Sequence, residues 1–463
     1  MLNSLLNFLI KKPAWSLALF FIVIGTTFLQ IQNFSLDASS ESLSLEGDNN
    51  LELYFDTQKT FGSDESLVIS YTTNEETILG TKQISHLRSL RDDLLNIEGI
   101  NSVISILDVS LFQSPPLSLI ELASDVYTID NGKAELSYIE NEFKNSPLYA
   151  NNLVSTDLKT TALLIPLATD NPEILINQET LKVIIEDIRL TMNEYRNEAS
   201  LFLGGVPMIR NDAIAYIKSD LIVFSLAVIL AMSIMLAFFF HKIRWVAVPI
   251  MISIIGALFM TGVISAVGWK VTVISANFFS LLLVMTLSVT IHLVVRYREI
   301  SSNNPDATSS ELTKQTLTEM IKPCTFTVIT TIAAFVSLTT SNVKPVIDFG
   351  LMMSVGVMIA FVLSFISFAI FTMLLPKPTT ASHPDQFLVL EKFAIITDKF
   401  GKRILVTLIV TMIIAFIGVS KLSVENSFIN YFKKDTEIYQ GLHLIDKELG
   451  GTVPLEIVFN DIA

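Results

Sequence analysis

One apolar stretch of the sequence carries a polar stripe with the makings of acid–base chemistry. Asn277 stands three residues before Ser280, and Ser280, Ser288 and His292 are separated by multiples of four, so on a helix all four share one face. His292 is the only titratable side chain well inside the stripe, and imidazole titrates near neutral pH. A titratable group buried between helices, reachable from each side by turns, is what a proton relay in a membrane requires. The alternative reading is structural: beside Arg296, His292 sits at the inner boundary and caps a helix end. A second stripe, Thr327, Thr330, Ala334, Ser337 and Ser341, recurs at threes and fours. It either lines a proton path beside the first or lets backbones approach closely, with interhelical hydrogen bonds of roughly 0.6 to 2 kcal/mol each.

Asp220 and Asp348 open two other apolar runs, where a helix dipole favours a carboxylate, and capping accounts for both. Glu299 reads as a surface partner of Arg296 and Arg298. Other chemistries find no support. The sequence has no G-x-x-x-x-G-K phosphate loop, no His/Cys spacing for a metal, and no Ser, His and Asp set within one domain, so neither an enzyme nor a cofactor is expected. The one cysteine, Cys324, lies within an apolar run; it has no disulfide partner and suits small-residue packing.

The elements that position these stripes are membrane helices. Apolar residues make up 51% of the 463 and charged residues 16%, with mean hydropathy +0.55. Seven runs approach the roughly 20 residues that cross a bilayer: Ala14 to Ile31, Asp220 to Phe240, Trp245 to Gly268, Val271 to Val295, Lys322 to Ser341, Ile347 to Leu375, and Ile404 to Val419. Basic clusters fall on alternate connections, at Lys11 and Lys12, at Lys242 and Arg244, at Arg296 through Lys322, and at Lys377 through Arg403, which assigns those connections to the cytoplasm. Residues 32–219 are then outside. That segment holds 29 acids against 12 bases, more than the whole net charge of −14, so the acidity belongs to one exported domain and carries no implication of nucleic acid. A cleaved signal peptide is the rival reading of residues 1–32, but Phe28-Leu29-Gln30-Ile31-Gln32 offers no small-x-small site, and an anchor is expected.

Within the outward segment, Ser66 to Tyr71, Ile100 to Leu107, Thr161 to Thr169 and Ser200 to Gly204 read as strands. Thr81 to Ile97 and Glu173 to Tyr195 have helical spacing. Two βαβ units result, which can pair as a ferredoxin-like α/β domain, with Ser114-Pro115-Pro116 opening a helical insertion. The expected organisation is a cytoplasmic start (1–13), a first span (14–31), the outward α/β domain (32–219), five spans (220–375), a cytoplasmic connection (376–402), a seventh span (403–421) and the opening of a second outward domain (422–463). In the connection, Phe387 to Ala394 suits an amphipathic helix on the membrane surface.

Residues 11–71 come back as 399–459 without a gap, at an offset of 388. Asn33-Phe34-Ser35-Leu36-Asp37 returns as Lys421-Leu422-Ser423-Val424-Glu425, and the run from Phe61 to Ile69 as the run from Leu449 to Ile457. Two membrane-anchored halves of this kind are a transporter layout, and the sequence reads as one half plus the opening of the other. Further motifs are Phe61-Gly62-Ser63-Asp64-Glu65, Gly204-Gly205-Val206-Pro207 with Asp220, Ile291 to Glu299, Pro323 to Leu338, and Lys344 to Gly350.

In order and spacing these motifs resemble the resistance-nodulation-division superfamily, in the branch of exporters grouped with the mycobacterial membrane protein large (MMPL) proteins, over nearly the whole chain. The resemblance implies twelve helices in two halves, outward porter domains, a bacterial inner membrane, and proton-driven export of hydrophobic or lipid-like molecules. It also implies a homo-oligomer, a dimer or trimer, and a periplasmic carrier protein as partner. Much of the branch has an acid four residues before the histidine; here that position is Ser288. Helices two to six also resemble a sterol-sensing arrangement, so a lipid-sensing or envelope-assembly module without pumping, or an accessory to protein export, are the other functional expectations.

Overall fold

The structure, a computed structural model, describes residues 13–38, 49–61, 65–114, 127–132, 135–167, 177–376, 387–422 and 428–451. In chain order the elements begin with α1 (Pro13–Gln30), β1 (Leu36–Asp37), α2 (Asn49–Phe61), β2 (Ser66–Thr73), α3 (Thr81–Leu95) and α4 (Leu136–Asn145). There follow β3 (Thr160–Pro166), α5 (Gln178–Tyr195), β4 (Ala199–Gly204), α6 (Val206–Phe240), α7 (Ile243–Val267) and β5 (Val271–Thr272). The last are α8 (Phe278–Asn303), α9 (Ser309–Ser337), α10 (Lys344–Leu374), α11 (Phe387–Val419) and α12 (Glu437–Glu448). They form two compact units, Met1–Gly47 with Ile214–Ser423, and Asp48–Ala213 with Val424–Ala463.

The first unit is a helical bundle. Among the described residues seven helices, α1 and α6 to α11, are long and apolar enough to cross a membrane. Close backbone approach holds the bundle at small residues. A Cβ on Gly356 of α10 would come within 2.8 Å of Leu282 of α8, and one on Gly350 within 2.6 Å of the Phe335 carbonyl of α9. Gly262 of α7 lies directly against the Thr27 carbonyl of α1. These contacts give the small-residue faces of α10 a physical role in packing. The segments after α1 and α7 meet as a short parallel pair, Leu36 opposite Val271 and Asp37 opposite Thr272.

Three helix boundaries differ from the sequence reading. The second span begins at Val206, because Gly205 adopts φ +104° beneath the Ser66 carbonyl and the chain turns into helix at once. The fifth begins at Ser309, where Thr308 and Glu311 form a reciprocal capping box. The amphipathic stretch Phe387 to Ala394 is not a separate surface helix: it forms the first turns of α11, with no proline to interrupt the run to Val419.

The second unit is α/β. Its sheet runs β3-β2-β4, fully antiparallel, with Ile69 opposite Leu163 on one side and Leu203 on the other. Helix α5 starts at Asn177, whose side chain accepts from the Glu179 and Thr180 amides, and its Leu181, Ile184, Ile185, Ile188 and Met192 are buried at helical spacing. Helix α3 buries Leu87, Leu90 and Leu94, while Leu95 points outward. The expected strand Ile100 to Leu107 reduces to one bridge, Ile104 to Leu164. Asp108 accepts from both the amide and the hydroxyl of Ser105, and that local turn competes with a ladder. Pro115 and Pro116 of the expected insertion, and residues 452–463 of the expected second outward domain, lie outside the described residues.

Helix α12 belongs to this same unit. Ile438, Leu442, Ile445 and Leu449 join its core, and Gly441 passes so close to β4 that a Cβ there would lie 2.9 Å from the Leu203 carbonyl. Arg189 of α5 binds Asp212 of α6 at 2.6 Å and Glu437 of α12 at 2.9 Å, and Arg196 adds a second contact to Glu437 at 2.8 Å.

Candidate functional site

The two polar stripes are present, and both face away from the bundle core. Helix α8 turns Leu282, Leu283, Thr286, Leu287, Thr290, Leu293 and Tyr297 inward. Ser288 and His292 occupy the opposite, exposed face. Asn277, also exposed, precedes the helix proper: it ends a 3-10 turn at the N-cap of α8, so it does not continue the helical stripe. On α9, Thr327, Thr330, Ala334 and Ser337 are exposed in the same sense. Thr327 donates to the Pro323 carbonyl at 3.2 Å, and Thr330 to the Phe326 carbonyl at 3.1 Å and the Thr327 carbonyl at 2.8 Å. Among the described residues no hydrogen bond joins His292 or Ser288 to Thr327 or Thr330. Helices α8 and α9 pack side by side, so one bundle carries both stripes.

His292 does not cap a helix end. Helix α8 continues past it to Asn303, with the cap at Asn304, so the dipole argument for a helix-end histidine does not apply. Arg296, one turn further, pairs with Glu299 at 2.6 Å as expected, and also reaches Glu319 of α9. Neither predicted helix-entrance acid is a cap. Asp220 lies within the 35-residue α6, far from its start at Val206. Asp348 lies one turn inside α10, whose N-cap is Val343 with Pro345 in the first turn. The physical reason is common to both: polar residues precede each apolar run and are themselves helical, so hydropathy marks the membrane boundary rather than the helix boundary.

The bundle interior holds a polar set that the stripes did not include. Thr286 and Thr290 of α8 are fully buried, as are Ser364 and Ser367 of α10, and the Thr290 and Ser364 hydroxyls lie 3.5 Å apart. Thr313 of α9 meets Thr372 of α10 at 3.0 Å. A Cβ on Gly256 of α7 would lie 3.2 Å from Thr286, so α7 crosses α8 at that hydroxyl. The signal was available in Thr286, Thr290 and Leu293, an inward stripe at four and three, but no ionisable residue drew notice to it. None of these groups titrates near neutral pH. Among the described residues of this unit, no Asp, Glu, His, Lys or Arg side chain is buried.

The α/β unit presents a different cluster. The Tyr71 hydroxyl lies 2.9 Å from Nδ1 of His86, and the His86 ring packs 4.9 Å from that of Tyr195, whose hydroxyl donates to Asp93. Burial pushes the Tyr71 phenol up to about 12. Burial likewise lowers His86 below the usual imidazole value, against the opposing pull of Glu198. Thr81, Lys82, Ser85, Ser89 and Glu198 border a shallow open basin around it. No group of three His, Cys, Asp or Glu among the described residues has the arrangement to hold a metal ion.

Comparison with known proteins places this geometry in context. The model of the MMPL family matches residues 55–378, which take in the α/β unit's sheet and helices α6 to α10. No curated protein matches the chain.

Proposed function

Because the chain belongs to the MMPL family, and is a multi-pass membrane transporter of the resistance-nodulation-division type, we propose that it is a secondary exporter of hydrophobic or lipid-like molecules in a bacterial inner membrane, driven by the proton gradient. The observation that carries the proton-driven reading is the segregation of polar groups in the bundle. Among the described residues the buried polar side chains of the bundle are all serine or threonine, and the titratable His292 stands mid-helix on the outer face with Ser288 one turn before it. An imidazole at membrane depth is costly unless it meets polar partners, so this face is one that another helical element covers, as two halves of a transporter would cover each other. Ser288 supplies a hydroxyl where much of the branch has a carboxylate, which leaves His292 as the carrier on this side.

The α/β unit is the porter domain in this reading, and it faces the periplasm because the basic clusters lie on the opposite connections. The ferredoxin-like assignment is supported by the order β3-β2-β4 with the Ile104 bridge on the outer edge of β3, which is the order of four strands in that fold with the second strand reduced to one bridge. Lipid sensing without pumping is the second reading, and Ser288 at the position where much of the branch has a carboxylate favours it.

The deciding experiment measures export of a fluorescent lipid analogue by the full-length protein in vesicles with an imposed pH gradient. His292→Gln should abolish the gradient-dependent component while leaving membrane insertion intact, since glutamine hydrogen-bonds but does not titrate. Ser288→Asp in that background should restore part of it from the same helix face. Unchanged gradient dependence in His292→Gln would reject the relay role and leave the sensing reading in its place.

A further inference from the structure

At the end of the bundle that the basic clusters mark as cytoplasmic, α7 and α9 begin and α8 and α10 run out. Aromatic contacts hold that end together. The Trp245 ring of α7 lies 5.8 Å from that of Tyr297 of α8, which lies 5.9 Å from Phe368 of α10. Within this packing several polar groups are left unmatched. Arg244 lays its guanidinium over the Trp245 ring at 4.9 Å and donates through Nη1 to the Pro376 carbonyl. Its Nε and Nη2 are shut from solvent and bond to nothing among the described residues. The hydroxyls of Tyr297 and Ser301, one turn apart on the inward face of α8 and both almost fully buried, also make no hydrogen bond. Tyr297 interacts with Arg244 through space, and Ser309 of α9 approaches its hydroxyl without closing a bond. Buried polar groups are matched nearly everywhere in folded proteins, so a cluster of them marks a place built for a partner.

The character of that partner follows from the donors. An arginine N–H donates and never accepts, and water would satisfy these bonds without balancing the charge. Among the described residues no carboxylate pairs with Arg244 or with Arg298, which lies 5.1 Å from the Phe240 ring; Glu299 and Glu319 are both held by Arg296. The first turn of α7, whose N-cap Lys242 supplies no side-chain cap, adds the positive end of a helix dipole beside Arg244. The rim is apolar: Ile243 is 82% exposed, and Phe238 and Phe239 also face outward. Basic pockets between spans on this side of a membrane suit lipid head groups. We propose that this end of the bundle binds the phosphate of an acidic membrane lipid, with Arg244 as its charge partner and the Tyr297 and Ser301 hydroxyls as further donors. The acyl chains lie along Phe238, Phe239 and Ile243. Arg244 is only half-buried, so its long side chain can turn Nε and Nη2 to the phosphate by giving up the Pro376 carbonyl. The site is separate from the His292 face and needs no coupling to transport.

The full-length protein in neutral detergent is titrated with short-chain phosphatidylglycerol, with phosphatidylcholine of the same chains, and with sodium phosphate, and bound lipid is counted by native mass spectrometry. Phosphatidylglycerol is expected to bind at least about tenfold more tightly than phosphatidylcholine, the worth of one charge-assisted contact, and Arg244→Gln to remove that preference. Arg296→Gln removes a guanidinium already paired with Glu299 and Glu319 and should leave it unchanged. Tyr297→Phe combined with Ser301→Ala should weaken phosphatidylglycerol by about three- to tenfold. The same pair should not lower the melting temperature of the lipid-free protein, because neither hydroxyl has a hydrogen bond to lose. A preference that survives Arg244→Gln, or that falls equally in Arg296→Gln, would overturn the proposal. Should Arg244→Gln fail to fold, the hydroxyl pair decides alone, and unchanged affinity there overturns it as well. Displacement of the lipid by millimolar sodium phosphate would assign the site to a free anion and overturn the lipid assignment.

Discussion

Glu437 accepts a hydrogen bond from Arg189 at 2.9 Å, although 248 residues and six apolar helices separate them in the chain. Arg189 also binds Asp212, at the root of α6, so one guanidinium joins the helix that follows the last described span to the helix that enters the second one. Two charge-assisted contacts converge on Glu437, each worth about 1.5 to 3 kcal/mol in a partly buried setting. Glu437→Gln should raise amide exchange across 437–448 by one to two orders of magnitude while β2 and β3 stay protected. Exchange unchanged from the parent would mean that Ile438, Leu442 and Ile445 hold α12 unaided.

Gly205 supports a second expectation. At φ +104° and against the Ser66 carbonyl, the position has no room for a Cβ and lies where side chains rarely go. Gly205→Ala should destabilise the α/β unit by about 1 to 3 kcal/mol, the cost of a strained backbone residue. Thermal unfolding followed by circular dichroism checks it. A melting point within a degree of the parent would show that the turn into α6 relaxes at no cost.

A third expectation concerns pH. Burial, the largest influence, lowers His86 below its unfolded value of about 6.5, so the fold favours the neutral ring. A depressed folded value contributes stability that is present above the unfolded pKa and lost as pH falls through the folded one. The α/β unit should therefore lose stability as pH falls below about 6.5, with the hydrogen bond between the Tyr71 hydroxyl and Nδ1 the contact placed at risk. His86→Gln should flatten that part of the profile in hydrogen exchange of β2 and α3. A slope identical to the parent's would remove His86 from the account.

Much of the architecture was legible because it follows from one-dimensional pattern. The span lengths, the inward face of α5 and the strands around Ile69, Leu163 and Leu203 all follow from hydrophobic period. What could not be read was direction. Spacing shows that Ser288 and His292 share a face, yet only packing shows that Thr286 and Thr290 take the inside and leave that face outward. In a membrane helix the polar side is not a reliable pointer to solvent or core, since lipid and protein interior are equally apolar. Boundaries failed for a different reason. The turn at Gly205 depends on Ser66, well over a hundred residues earlier, and no local pattern contains that contact.

The interior hydroxyls have a consequence for leakage. Ser253, Thr261, Ser265, Thr286, Ser354 and Thr372 each direct the hydroxyl proton to a carbonyl one turn earlier on the same helix, at 2.7 to 3.0 Å. A Grotthuss chain needs hydroxyls that hand protons to one another or to water, and these are already turned back on their own backbone. These six hydroxyls are committed to their own helices, so a chain of proton hand-offs cannot begin on them without first breaking that local bond.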